Sequence, residues 1–291
     1  MAQWSLGDRN CKSSRGLLLD VRVCYGTGLM IGDASNRDSV KELIEAGSSI
    51  AGSATGAAIA ILGGDPASAL VGSVAGSVLA TSLKLLAQEL RQRFLGPREE
   101  ARLGAALAFT AERIQTKLKG GEKIREDGFF SSPGGDARSS SEEILEAVLL
   151  VAQREYQEKK LRFHANLLAN LVFDSSVAPE QAHVLIKLGE DLTYRQLCLL
   201  ALFPKFANAL RSNDYTGESS LDTNTITLLV EIFELYTRGL LNASGVALLS
   251  LSDVVPSKMQ IQGTGAQLFN MMELSRIPNN DLLKLMDSLM K

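Results

Sequence analysis

Few side chains of this sequence have the type and spacing that catalysis or metal binding requires. The only histidines are His164 and His183, and both lie in apolar stretches with helical spacing, where a histidine usually packs against a neighbouring helix. The three cysteines (Cys11, Cys24 and Cys198) are too scattered for a zinc cluster or a disulfide framework. No P-loop, dinucleotide fingerprint, GxSxG elbow or HExxH motif occurs. We therefore expect no enzyme, no metal and no cofactor.

The most unusual pattern is a regular spacing of small residues between positions 46 and 83. Two sets recur at every fourth position: Ser48, Gly52, Gly56, Ala60 and Gly64, and then Ser68, Gly72, Gly76 and Ala80. On a helix this spacing lines one edge with small side chains, so that backbones can approach closely and gain dispersion contacts. Such contacts would offset the helix-destabilising effect of glycine, which is up to about 1 kcal/mol per residue relative to alanine.

A turn signal divides this uncharged run into two nearly equal halves. Asp65 is the only ionisable residue of the run, and it is followed by Pro66, which predicts a helical hairpin. Each half has about 18 residues, near the lower limit for a membrane span. The hairpin could insert into a membrane or assemble with copies of itself, or it could pack inside a soluble fold. Many Ser and Thr residues, and no Trp or Tyr at the ends, favour conditional over permanent insertion.

Composition favours an all-α fold, and the three scattered cysteines favour a reducing cytoplasm. Aromatic residues make up only 5% of the chain, so the core must consist of aliphatic and small side chains, which suit helices. The net charge of -3 does not favour a nucleic-acid partner. An apolar run at 16–19 is broken at once by Asp20 and Arg22, so it is not a secretory signal. The basic residues between 84 and 125 could contact anionic lipid headgroups, or could form an ordinary solvated helix face.

We predict four segments along the chain. Residues 1–35 lack periodicity and are expected to be flexible, with Met30 as a candidate natural start and 16–24 as an alternative edge strand. The other three are a hairpin with amphipathic helices at 36–127, a linker rich in Gly and Ser at 128–140, and a helical domain at 141–291.

The helical domain also carries local signals for its elements. Capping-box spacing occurs at Ser140 and at Thr193, Pro179 opens a helix, and Pro204 marks a potential interruption. The predicted helices cover 84–93, 98–119, 144–173, 179–189, 194–210, 226–241, 264–274 and 280–290, with β-like runs at 246–251 and 259–262.

The C-terminal order of helix, helix, strand, turn, strand and helix resembles a winged helix-turn-helix. The pattern lies in 192–203, 229–241 and 261–274. Its basic residues are spread out and outnumbered by acids, so phosphate neutralisation would be weak. We therefore expect a degenerate winged helix that packs within the protein or binds a protein partner.

Two segments carry a family resemblance: 158–170, which reads EKKLRFHANLLAN, and 192–197, which reads LTYRQL. Over residues 140–275 the chain is similar to uncharacterised bacterial helical proteins, some of them resembling abortive-infection proteins of the Abi-alpha kind. This resemblance implies a bacterial cytoplasmic protein in phage defence and supplies no catalytic residues. The glycine-zippered hairpin, in turn, is similar to hairpins of pore-forming and holin-like proteins.

Together these patterns predict an effector controlled by its C-terminal helical domain. Its hairpin would oligomerise or insert into a membrane, which implies a homo-oligomer and a membrane as partner. Two alternatives remain open: a soluble helical adaptor or oligomerisation module without membrane activity, and a winged-helix DNA-binding regulator.

Overall fold

A computed structural model describes residues 96–132, 134, 137–218 and 220–290 of the chain, and this part is mostly helical. Its helices are α1 Pro97–Lys119, α2 Ser140–Arg154, α3 Leu161–Phe173, α4 Pro179–Asp191, α5 Tyr194–Phe206, α6 Thr223–Thr237, α7 Gly263–Met271 and α8 Asn279–Leu289. Two short strands, β1 Leu241–Asn242 and β2 Gln260–Ile261, pair antiparallel. The predictions for the N-terminal segment, the 46–83 hairpin and the helix at 84–93 concern residues outside this described part.

Local signals place most helix starts correctly. Pro179 occupies the first position of α4, and the Thr193 side chain accepts a hydrogen bond from the amide of Gln196 at the start of α5. The capping box of α2 lies one residue before its predicted position, at Ser139 and Glu142. These starts are predictable because the capping partners are three residues apart in the chain.

The helix α3 lies at the centre of the fold, with α1 and α2 packed against it. Small side chains at Ala105 and Ala106 of α1 and at Ala165 of α3 form one buried cluster, which allows the helices to approach closely. A larger cluster extends from Leu103 of α1 to Leu289 of α8. Each large aliphatic side chain that it removes from water contributes about 1.5–3 kcal/mol.

The predicted helix at 144–173 is wrong, because the chain forms two helices there. Between α2 and α3 the backbone of Glu155 is extended, with ψ of 110°, and its carboxylate accepts a hydrogen bond from the Gln157 amide at 2.9 Å. Tyr156 lies in this break and is 78% exposed, although its position continues the apolar spacing of the two helices. The apolar spacing continues through the break, so periodicity alone could not locate it.

The strand prediction at 246–251 is also wrong. That segment forms a loop with Val246 and Leu249 exposed, and β2 pairs instead with Leu241–Asn242, which was assigned to the end of α6. Helix α6 ends at Thr237 because the chain turns at Gly239, whose φ of 71° favours glycine. Pro204 does not interrupt α5.

The loop between α1 and α2 contributes to the core. It contains no helix, as predicted, but Phe129 and Phe130 are both buried in the main hydrophobic cluster. Their rings meet edge to face, with centroids 5.0 Å apart. The core therefore continues across the segment assigned as a linker, and the division of the whole chain into domains stays a prediction.

A buried arginine in this loop forms hydrogen bonds with the C-terminal end of α3. The guanidinium of Arg125 donates to the carbonyl oxygens of Leu171, Asp174 and Val177 at 3.3, 2.9 and 3.1 Å. Asp127 accepts two further hydrogen bonds from the guanidinium. This pairing is the largest of the effects that lower the pKa of the Asp127 carboxyl. Arg125 thus satisfies carbonyl groups that the end of a helix leaves without partners.

The substitution Arg125→Met tests this role. It keeps most of the apolar stem but removes every donor to the α3 carbonyls, so we expect the free energy of unfolding to fall by about 2–4 kcal/mol. The measurement is urea denaturation followed by circular dichroism. Arg98→Met is the matched control, because Arg98 is 75% exposed and its ion pair with Glu158 should contribute less than about 1 kcal/mol. Equal losses in both variants would contradict the prediction.

Candidate functional site: a buried polar seam

A row of buried polar side chains follows α3 and is the candidate functional site. We call it the α3 seam and define it by Lys160, His164, Asn166 and Asn170, none of which is more than 7% exposed. Polar groups lose free energy when they leave water, unless the protein supplies hydrogen bonds or counter-charges. The seam must therefore find its partners on neighbouring segments.

At its N-terminal end the seam contains a buried ion pair. The ammonium of Lys160 lies 2.6 Å from Oε2 of Glu155 and donates to the backbone carbonyl of Glu190 in α4 at 3.1 Å. Burial by itself would raise the pKa of Glu155, but the nearby His164 ring, the Lys160 ammonium and the Gln157 amide lower it to about 2. Glu155 is therefore ionised at neutral pH, and the pair joins the α2–α3 break to α4.

His164 lies beside this pair and is completely buried. Its Nε2 is 3.5 Å from Oε2 of Glu155, which is too long for a full hydrogen bond, and among the described residues neither ring nitrogen has a partner. The ring packs on Gly189, where a Cβ atom would come within 3.2 Å of His164 and 3.1 Å of Met272. Burial lowers the pKa of His164, and the neighbouring Glu155 opposes that effect. The imidazole is therefore neutral in the folded protein.

At the other end of the seam, two asparagines hold the end of α7. The side-chain amides of Asn166 and Asn170 donate to the carbonyl oxygens of Met272 and Met271 at 3.2 and 2.8 Å. The two asparagines are four residues apart, so they lie one above the other on the same helix face. Their hydrogen bonds fix the position at which the chain leaves α7.

Glu273 connects this turn to α1. Its backbone has a φ of 54°, which is uncommon outside glycine, and its carboxylate accepts from Arg113 Nε at 2.7 Å and from Asn170 at 3.2 Å. Arg276 contacts the second carboxylate oxygen at 3.0 Å. Burial would raise the pKa of Glu273, but Arg276, Arg113 and Asn170 together lower it. An ionised Glu273 thus links α1, α3 and the turn after α7.

The seam is suited to coupling segments rather than to covalent chemistry. His164 has no water-accessible surface and so cannot reach a solvent-borne substrate. Burial also raises the pKa of the Cys198 thiol to about 12, which leaves little thiolate at neutral pH. Within the described residues, no three His, Cys, Asp or Glu side chains are grouped as a metal site would require. The seam joins three segments to α3, namely the α2–α3 break, α4 and the turn after α7, and Glu273 extends this link to α1.

The structure brings together residues that sequence reasoning assigned differently. The charged residues at 155–160 are typical of a solvated helix face, but Glu155 and Lys160 are both buried. His164 packs between helices as predicted, although without hydrogen-bond partners, whereas His183 is exposed. Glu273 was not singled out, and its partner Arg113 is 160 residues away. The predicted zipper and turn residues, from Ser48 to Ala80 with Asp65 and Pro66, fall outside the described residues.

The neutral, buried His164 predicts a specific pH dependence. In the unfolded chain a histidine titrates near pH 6.5, whereas the folded protein resists protonation of His164. Below about pH 6.5 the unfolded state binds more protons, so the free energy of unfolding should fall by up to about 1.4 kcal/mol per pH unit. Denaturation experiments between pH 7.5 and 5 measure this fall in the free energy of unfolding. Most carboxyl groups titrate below that pH range.

The two histidines provide a matched comparison for this test. His164→Leu should flatten the pH dependence, whatever its effect on stability at neutral pH. His183→Gln should leave the slope as in the unsubstituted protein, because His183 is exposed. An unchanged slope in His164→Leu would contradict the assignment.

A double-mutant cycle tests the buried ion pair. Glu155→Leu or Lys160→Met alone leaves one charge buried without its counter-charge, so we expect each to destabilise the protein by about 3–5 kcal/mol. The double variant should lose no more than either single variant, because both charges are then absent. The control cycle uses Arg98 and Glu158, whose exposed pair should couple by less than about 1 kcal/mol. If the losses of the two single variants add up in the double variant, Glu155 and Lys160 do not stabilise each other and the ion-pair assignment is wrong.

Comparison with known proteins adds no evidence on function. No protein-family model, curated protein or solved structure matches the chain. The family resemblance described from the sequence therefore enters below as a proposal.

Proposed function

We propose that residues 96–290 form a helical control body for the glycine-zippered segment at 46–83. When the body releases this segment, its small-residue edges assemble with copies of the chain or enter a membrane. The proposal is supported by the four-residue spacing of small side chains and by the single ionisable residue of the run, Asp65. Control is assigned to the body because α1, which follows that segment in the chain, is built into its core.

The attachment of α1 is the observation that carries this proposal. Near its start, Arg98 pairs with Glu158 at 2.9 Å; near its end, Arg113 pairs with Glu273 of the turn after α7. Between these points α1 buries most of its residues against α2 and α3. A partner that displaces the C-terminal turn would therefore act on α1. Such a switch requires two states that differ by only a few kcal/mol.

Several basic residues of α1 and the loop after it are engaged within the body, so the proposed membrane role is assigned to 46–83. Arg113, Lys117 and Arg125 form ion pairs with acidic groups of the body, and Arg102 donates to the Gln153 carbonyl. These cations are therefore engaged within the protein instead of forming a lipid-binding face. None of the described helices is long and apolar enough to cross a membrane.

The biological setting of the proposal rests on the family resemblance. The segment 158–170 that carries it forms the α2–α3 break and most of α3, including the whole seam. We propose a bacterial cytoplasmic protein that acts in phage defence as a homo-oligomer. Association with the membrane would then follow activation.

A soluble adaptor is the second candidate, and the winged-helix-like end favours it. Leu249 and Val246 lie 87% and 59% exposed in the loop between β1 and β2, the position of a wing. Helix α6, in the place of a recognition helix, contains Glu231 and Glu234 but no Lys or Arg. Glu231 also pairs with Arg195 of α5 at 2.7 Å. These charges favour a protein partner over DNA.

Liposome leakage tests the proposed release. The purified full-length chain should release a dye trapped in vesicles of bacterial lipid composition once it is activated. Gly56→Leu with Gly76→Leu should abolish leakage, because leucine fills the small-residue edge. Ala58→Leu with Ala75→Leu is the matched control, since both positions lie off the four-residue spacing and should retain leakage.

Activation can be imposed through the proposed coupling. Glu273→Gln weakens the link between the C-terminal turn and α1, so it should increase leakage and move the protein into the membrane fraction of cells. An adaptor would instead stay in the soluble fraction as one defined oligomer by light scattering. Absence of leakage and of membrane association in Glu273→Gln, and in cells under phage challenge, would remove the effector proposal.

A further inference from the structure

The loop between β1 and β2 presents a short apolar tip to solvent. We call residues 244–250 the wing tip. Its Val246 and Leu249 side chains are 59% and 87% exposed, whereas Leu248 between them is buried in the main hydrophobic cluster. Large apolar side chains that stay in water beside a buried anchor indicate a surface for another molecule.

The protein fixes the backbone of the wing tip. Five of its seven amides donate hydrogen bonds to other groups of the chain: those of Ser244, Val246, Leu248, Leu249 and Ser250. The Asp253 carboxylate accepts from Leu249 and Ser250 at 2.8 and 2.7 Å. The Tyr236 hydroxyl accepts from Leu248 at 3.2 Å. A peptide group that already has a partner loses little free energy when it leaves water, so the tip can enter apolar surroundings without refolding.

Charged residues border the wing tip rather than lie on it. Between positions 239 and 257 the only ionisable residue is Asp253, whose carboxylate is engaged by amides of the tip. Arg238 and Lys258 adjoin this stretch on either side, and both are exposed. Within the described part of the chain, neither side chain forms an ion pair or a hydrogen bond. Lys258 lies next to the tip, since the Ser244 hydroxyl donates to its carbonyl oxygen at 2.9 Å.

An apolar tip flanked by two cations fits a surface that combines hydrocarbon with anions. An anionic lipid bilayer has this arrangement, with acyl chains beneath negatively charged headgroups. A protein groove with an acidic rim would also provide it. The side chains that anchor protein interfaces are mostly Trp, Tyr and Arg, and rarely Leu or Val. The wing tip carries no aromatic side chain, and a bilayer needs no matching pocket, so the bilayer is favoured.

We propose that the wing tip is a reversible contact with the surface of an anionic lipid bilayer. Val246 and Leu249 enter the boundary between headgroups and acyl chains, while Arg238 and Lys258 remain among the headgroups. This contact rests on the proposed function, because the membrane is the one that 46–83 would enter. A short apolar contact gives weak attachment by itself, so stable binding requires the second signal from 46–83.

Vesicle flotation of the full-length chain tests the contact. Every chain carries Gly56→Leu and Gly76→Leu, so that the contribution of 46–83 is the same throughout, and the chain with these two changes alone is the parent. The parent should float with vesicles of phosphatidylcholine and phosphatidylglycerol. Val246→Ser with Leu249→Ser should lower the partition coefficient at least tenfold, because the tip no longer gains free energy by leaving water.

Two matched controls accompany this variant. Val184→Ser with Ile226→Ser removes aliphatic side chains that are 47% and 43% exposed outside the wing tip, and it should float as the parent does. Removing the two flanking cations, by Arg238→Gln with Lys258→Gln, should weaken binding at least threefold, but only to vesicles that contain phosphatidylglycerol and only at low salt. Lys119→Gln with Lys123→Gln makes the same charge change at exposed positions elsewhere and should have no effect.

Absence of flotation in the parent, or equal flotation of the wing-tip variant and its Val184, Ile226 control, would overturn the proposal. Sedimentation velocity without vesicles is the second measurement. If the parent forms an oligomer that the wing-tip variant does not, another copy of the chain covers the tip and the lipid contact is wrong. Leakage is measured separately on chains with the natural Gly56 and Gly76, so its absence would refute the membrane role of 46–83 while wing-dependent flotation stands.

Discussion

The burial of α3 on nearly every side is the constraint on which the rest of the structure depends. Eleven of its 13 residues are buried, and three of those, His164, Asn166 and Asn170, are polar. A helix in this position cannot send its polar side chains to water, so partners must come from other segments. The α2–α3 break supplies Glu155, and the turn after α7 supplies backbone carbonyls and the Glu273 carboxylate.

The same constraint explains why two loops of this protein supply hydrogen-bond partners to α3. The loop after α1 places the Arg125 guanidinium on the last carbonyls of α3, where helix geometry leaves them without intrahelical donors. The turn after α7 accepts an unusual backbone conformation at Glu273, whose carboxylate then meets three donors. In both cases a charged side chain is retained in the interior because it completes hydrogen bonds that α3 requires.

These links also couple α1 to the turn after α7. Since α1 is joined to the C-terminal turn through Glu273, a ligand or partner that binds one of them more tightly in one arrangement shifts the other. In the proposed function, α1 is the element through which the body would act on the glycine-zippered segment, because that segment precedes α1 in the chain.

The sequence by itself determined the helical class and most helix positions. The starts of α4 and α5 were predictable from Pro179 and from the Thr193 capping box, because their signals lie within three residues. Only the tertiary structure decided the break at Glu155, the pairing of Leu241 with Ile261, and the composition of the α3 seam. Their partners are up to 160 residues apart, as Arg113 and Glu273 are. Whether a charged residue is solvated or buried depends on which distant segments cover it, and local spacing does not carry that information.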